Sequence, residues 1–143
     1  GYGLFPDELV EPISRLVTNS VSCTAAFSQM AAAAAIEAPQ ESVRSMVAEF
    51  KRRRDIIVSG LNEIEGINCP EPKGAFYAFP NIAGLGLTSQ EFEHRLLDEA
   101  GVSTLAGTSF GEFGEGYARF SFANSQENLR EALRRMREWV TTL

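Results

Sequence analysis

The 143 residues contain one histidine, one tryptophan, two cysteines and two lysines, and each scarcity excludes something. His94 has no nearby Ser or Cys to activate, and no cluster of His, Cys, Asp or Glu stands at ligand spacing. It therefore reads as an exposed helix residue, with neither catalysis nor a metal assigned to it. Cys23 and Cys69 form no CxxC, which excludes a disulfide framework and a zinc site and predicts two reduced, partly buried thiols. Lys51 lies among arginines and Lys73 precedes Gly74; neither sits in the apolar setting that Schiff-base chemistry uses. Acidic residues outnumber basic ones nineteen to thirteen. A net charge of −6 excludes a binder of nucleic-acid backbones, which must concentrate Lys and Arg. The one basic run, "KRRRD" at Lys51 to Asp55, falls in a helical pattern and predicts a solvated face. No signal-like segment is visible, and the most apolar run, "MAAAAAI" at Met30 to Ile36, is too short to span a bilayer. A cytoplasmic location is the expectation.

The remaining composition, 44% apolar and 22% charged, is that of a globular protein long enough to bury a core. After a short strand end, Pro6 sits at a helix start, where its missing N–H has no partner to lose. Leu9, Ile13, Leu16 and Val17 follow at helical spacing. An alanine-rich helix runs to about Glu37. Pro39 then opens a long helix, 40–65, whose Val43, Val47, Phe50, Ile57, Leu61 and Ile64 form one stripe, with Arg54 in its single gap. Such a helix is longer than one small core requires and predicts a bridge between two bodies. Gly66 closes it.

The period then changes. A strand is expected from Ala75 to Phe79, between Gly74 and Pro80. "TSQE" at Thr88 to Glu91 is a capping box opening a helix that buries Phe92, Leu96 and Leu97 and closes at Gly101. A strand follows from Val102 to Leu105, then a glycine-rich loop, then "GYARFSFANS". Asn124 or Ser125 caps a last helix with Leu129, Leu133, Met136 and Val140 inward. The order predicts an α+β fold, a small and mostly antiparallel sheet covered by helices and preceded by the long bridging helix and two further helices.

Two features carry candidate chemistry. Glycines 107, 111, 114 and 116 could cradle a phosphate, but the loop leads into a strand rather than a helix N-terminus. A turn that lets two strands pass fits better. Alternation places Tyr117, Arg119 and Ser121 on one strand face and Ala118, Phe120 and Phe122 on the core face. Arg119 then either meets water or a local Glu, or uses its planar fork on a carboxylate or phosphate.

Taken in order, "GYG" with a Pro-led helix, "CTAAFSQMAAAAAIEA", "PKGAFYAFPN", "AGTSFGEFGEGYARFSFANS" and the final helix resemble the C-terminal part of class I/II, fold-type I aminotransferases, which depend on pyridoxal phosphate. The resemblance covers Gly1 to about Val140. It implies an amino group moved between an amino acid and a 2-oxo acid, with Arg119 gripping the substrate α-carboxylate and Phe76 lining the substrate pocket. It implies residues 1–40 as a remnant of the large cofactor domain and 41–143 as the small domain. The family's Schiff-base lysine, phosphate arginine and pyridine-pairing aspartate match nothing here and would lie upstream of Gly1-Tyr2. The chain alone is thus expected to hold no cofactor-binding or catalytic residue, to bind no pyridoxal phosphate and to be inactive, while a homodimer or self-association is expected. A stand-alone carboxylate-binding or interaction domain, or a related carbon–sulfur lyase, are the alternatives.

Overall fold

A computed structural model describes residues 1–143 in two compact units, Gly1–Gln40 and Glu41–Leu143. The first contains α1 (Asp7–Ser20) and α2 (Ala26–Glu37), with no strand in residues 1–6 where a strand end was expected. Neither helix buries a residue: Leu9, Leu16 and Val17 form the apolar stripe of α1, yet all are exposed. Periodicity in the sequence records a face to be covered, and nothing in this unit covers it.

The second unit opens with α3 (Glu41–Asn62), which stops three residues short of the expected end. Gly66 still takes positive φ, in the turn beyond the helix. The stripe on α3 is buried only in its second half: Ile57 and Leu61 are in the core, and Ile64 follows, whereas Val43 and Val47 are exposed. The basic run is less solvated than expected. Arg53 binds Glu49 at 2.8 Å, and the half-buried Arg54 pairs with Asp55 at 2.7 Å and Glu71 at 2.9 Å.

Three short strands follow: β1 (Tyr77–Ala78), β2 (Leu105–Ala106) and β3 (Ala118–Ser121). They form an antiparallel sheet of order β1-β3-β2, so the last strand is central. Strand β1 is shorter than the expected 75–79, and β2 is both shorter than the expected 102–105 and shifted toward its end. Ala75 has φ 58°, a left-handed conformation that no ladder accommodates. Val102 instead accepts a core position, its N–H donating to the Leu96 carbonyl at 3.2 Å.

Between the strands, α4 (Ser89–Ala100) carries the expected capping box. Thr88 Oγ1 accepts from the Glu91 N–H at 3.2 Å, and Glu91 Oε2 accepts from the Thr88 N–H at 2.9 Å. Gly101 caps its end in the left-handed region. Phe92 and Leu96 are buried; Leu97 is exposed, one position off the inward face. Ser125 caps α5 (Gln126–Val140), which packs on α3 and α4. Its Leu129, Leu133, Met136 and Trp139 are buried, and Val140 is only half-buried. Cys69 is in this core, where desolvation pushes its thiol up to about 11, but Cys23 is exposed rather than partly buried. No helix is long and apolar enough to cross a membrane.

Candidate functional site

Strand β3 behaves as its alternation requires. Ala118, Phe120 and Phe122 are buried, while Tyr117 and Arg119 are half-buried on the other face and Ser121 is exposed. Register puts Leu105 opposite Arg119, and Tyr77 opposite Ser121. The backbone of Arg119 is fixed further by Thr104, whose Oγ1 donates to the Arg119 carbonyl at 2.7 Å.

The side chain has no polar partner in the protein. Of the eleven arginines, nine are ion-paired, Arg130 donates to Gln126, and Arg119 alone makes neither a hydrogen bond nor an ion pair. The local Glu that alternation alone allowed is absent. Two rings bracket it instead. Its Cζ lies 4.3 Å from the centroid of Tyr77, on one neighbouring strand, and 4.4 Å from that of Phe110, in the loop after the other. Both distances are well inside the reach of cation–π attraction. The five N–H donors of the guanidinium are left for something from outside.

The glycine-rich loop is what brings Phe110 there. Gly107 and Gly114 lie backbone against backbone, so closely that a Cβ on either would overlap the other's carbonyl oxygen. The N-terminus of α4 holds the loop from below. Buried Ser89 donates to the Gly114 carbonyl and accepts from the Tyr117 N–H, both at 3.2 Å, while its own N–H donates to Glu115 Oε1 at 2.9 Å. Glu93 Oε2 accepts from the Ala106 N–H at 2.7 Å. The Glu115 carboxylate thus occupies the amide end of α4, where a phosphate cradle would need a vacancy.

Phe76 lies elsewhere. It is 40% exposed and lines a cleft of about 430 Å³ with Met46, Val47, Phe50 and Phe122. Arg119 is not on that cleft; the Tyr77 ring, 4.5 Å from that of Phe76, is the ring that Arg119 Cζ approaches to 4.3 Å. Lys51 and Lys73 line the same apolar cleft, against expectation, although both are exposed. His94 is exposed on α4 as expected, and no group of three or more His, Cys, Asp or Glu could hold a metal. Sequence reasoning missed Phe110, Tyr77 and Ser89. The only trace of Phe110 was an aromatic inside a glycine loop, and that of Tyr77 its place within the expected strand 75–79; its side of the sheet follows only from the β1–β3 register.

Comparison with known proteins adds a context. The family model described as aminotransferase class I and II matches residues 1–136. An aspartate aminotransferase of Pyrococcus horikoshii is 39% identical over 138 residues, which are 95% of this chain and 35% of that protein. A putative aminotransferase of Bacillus subtilis, YugH, is 39% identical over 98% of the chain and 36% of its own length. The crystal structure of an aromatic aminotransferase from Pyrococcus horikoshii OT3 superimposes with a TM-score of 0.88 at 38% identity, covering 96% of this chain and 37% of that one. The chain therefore spans about a third of the length of the curated relatives it matches.

Proposed function

Since the chain belongs to the class I and II aminotransferase family, we propose that it is the small domain, with part of the large one, of an enzyme moving an amino group between an amino acid and a 2-oxo acid, and that Arg119 grips the substrate α-carboxylate. The observation that carries this is the free fork of Arg119, bracketed by rings and unclaimed by any protein acceptor. A guanidinium offers a carboxylate two parallel, charge-assisted N–H donors, and holding that end of the substrate orients its amino or keto carbon.

The residues present do not make a pyridoxal phosphate site. Schiff-base chemistry needs an amine held against the cofactor, and both Lys51 and Lys73 are exposed at the rim of a cleft that Arg119 does not reach. What these residues supply is the grip, and the 143 residues alone are inactive on this reading. Phe76 belongs to the substrate pocket only through its neighbour Tyr77. In isolation, the exposed Leu16, Phe27, Met30 and Ile36 favour self-association.

Two measurements test this. In the aminotransferase containing these residues, Arg119→Ala lowers kcat/KM for amino-acid and 2-oxo-acid substrates about a hundredfold, the loss of a hydrogen-bonded charge pair; unchanged kcat/KM removes Arg119 from the role. Incubating the isolated chain with pyridoxal phosphate gives no stable Schiff base in its absorption spectrum and, after borohydride, no adduct concentrated at one lysine. A reduced adduct at one defined lysine would overturn the inactive reading.

A further inference from the structure

The geometry points to Phe110 as a positioning residue: its ring fixes the plane of the Arg119 guanidinium, which makes orienting that fork the task of the glycine loop. This rests on the carboxylate-clamp reading of Arg119.

An arginine with several rotatable bonds and no hydrogen bond of its own should sample many orientations, which a clamp cannot tolerate. Here no polar group restrains it. Hydrogen bonds from a neighbour would fix the guanidinium but consume the donors that a carboxylate needs. Aromatic faces restrain it without taking an N–H. Tyr77 acts from β1, the ladder partner on one side of β3. Phe110 acts from the loop after β2, on the other side.

Phe110 is 50% exposed, so core packing does not account for its place. It is braced instead within an aromatic chain. Phe79 meets it edge-on at 6.1 Å, and Phe79 itself stacks on Tyr117 at 5.5 Å with the rings 11° from parallel. Below that chain the Gly107–Gly114 contact and the Ser89 hydrogen bonds fix the loop's height over the sheet. Each device ends in the same outcome, a ring held over Arg119. The loop is thus more than a passage between strands.

The test compares Phe110→Leu and Phe110→Tyr in the aminotransferase containing these residues, with Arg119→Ala as reference and aspartate, alanine and phenylalanine each tried as amino donor. Leu keeps the bulk and removes the π face; Tyr keeps both. The expected result is a KM raised about tenfold in Phe110→Leu with kcat little changed, and a KM near that of the parent in Phe110→Tyr. In the 143-residue chain, the Arg119 Nε–Hε proton, shielded by the two rings, moves downfield in Phe110→Leu and stays in Phe110→Tyr. Equal KM values for Phe110→Leu and the parent, with Arg119→Ala still impaired, overturn the positioning role and leave the clamp intact. An unimpaired Arg119→Ala overturns both. Loss of fold in Phe110→Leu, seen in the far-ultraviolet circular dichroism, would also overturn the proposal, because it would make the ring a packing element.

Discussion

Ser89 holds Gly114, twenty-five residues along the chain, by a hydrogen bond of 3.2 Å from its hydroxyl to the Gly114 carbonyl, and the same oxygen accepts from the Tyr117 N–H. One fully buried hydroxyl thereby joins the first turn of α4 to both the glycine-rich loop and the strand carrying Arg119. Ser89→Ala removes both of these bonds and leaves the Gly114 carbonyl and the Tyr117 N–H only the 3.2 Å bond they make to each other. It is expected to cost about 1–3 kcal/mol, read by urea unfolding through the fluorescence of Trp139, which packs from α5 against Phe92 of α4.

Gly107 has no such tolerance for an added methyl. A Cβ there would overlap the Gly114 carbonyl and crowd that of Tyr117 at 2.8 Å, both of them backbone atoms. Gly107→Ala is expected to cost about 3 kcal/mol or more, at or above the upper end of the usual overpacking penalty. Thermal unfolding checks the stability, and the Arg119 Nε–Hε shift checks whether Phe110 has moved.

Acid should loosen the junction of α3 with α5. Glu49 is held down to about 2, first by its hydrogen bond from Arg53, then by those from Gln126 and Arg52. Its folded value lies below the ordinary 4.5, so its contribution is complete above that pH and is lost as pH falls toward about 2. Glu131, held by Arg134 and Arg135, also titrates at about 2 and adds a loss of the same sign. Melting temperature is expected to fall between these limits, and Glu49→Gln to flatten that fall. An unchanged slope in Glu49→Gln would remove Glu49 as a cause.

The two units should differ in local stability. Neither α1 nor α2 buries a residue, whereas α5 buries Leu129, Leu133, Met136 and Trp139. Helical stability in proteins comes mostly from a packed face. Amide hydrogen exchange of the isolated chain is therefore expected to be fast throughout residues 7–37 and slow in α5. Equal protection in both would show that the first unit is stabilised by something its own residues do not supply.

Local rules made much of this readable. The Thr88–Glu91 box, the Ser125 cap and the inward face of β3 depend on spacing within a few residues, and all three hold. The strand limits failed where tertiary geometry intervened, as at Ala75 with its left-handed φ. Burial failed for Val43 and Val47, because an apolar period shows that a face wants a partner and not that one is present. Trp139 was missed because it adjoins Val140, and one step around α5 decides which of the two enters the core. At the site, alternation located Arg119 but could not reveal its surroundings. Phe110, nine residues away in sequence, arrives only through a loop fold fixed by Gly107, Gly114 and Ser89.

Because β3 lies between β1 and β2, its alignment is checked from both edges. A slip of one residue would turn Arg119 into the space of Phe120 and send both phenylalanines outward. Burying that unpaired cation would cost several kcal/mol. A chain paired out of step could not hide the error, since the residue proposed to grip substrate would be the one that unfolds it. The cation thus proofreads its own placement during folding, before any substrate is present.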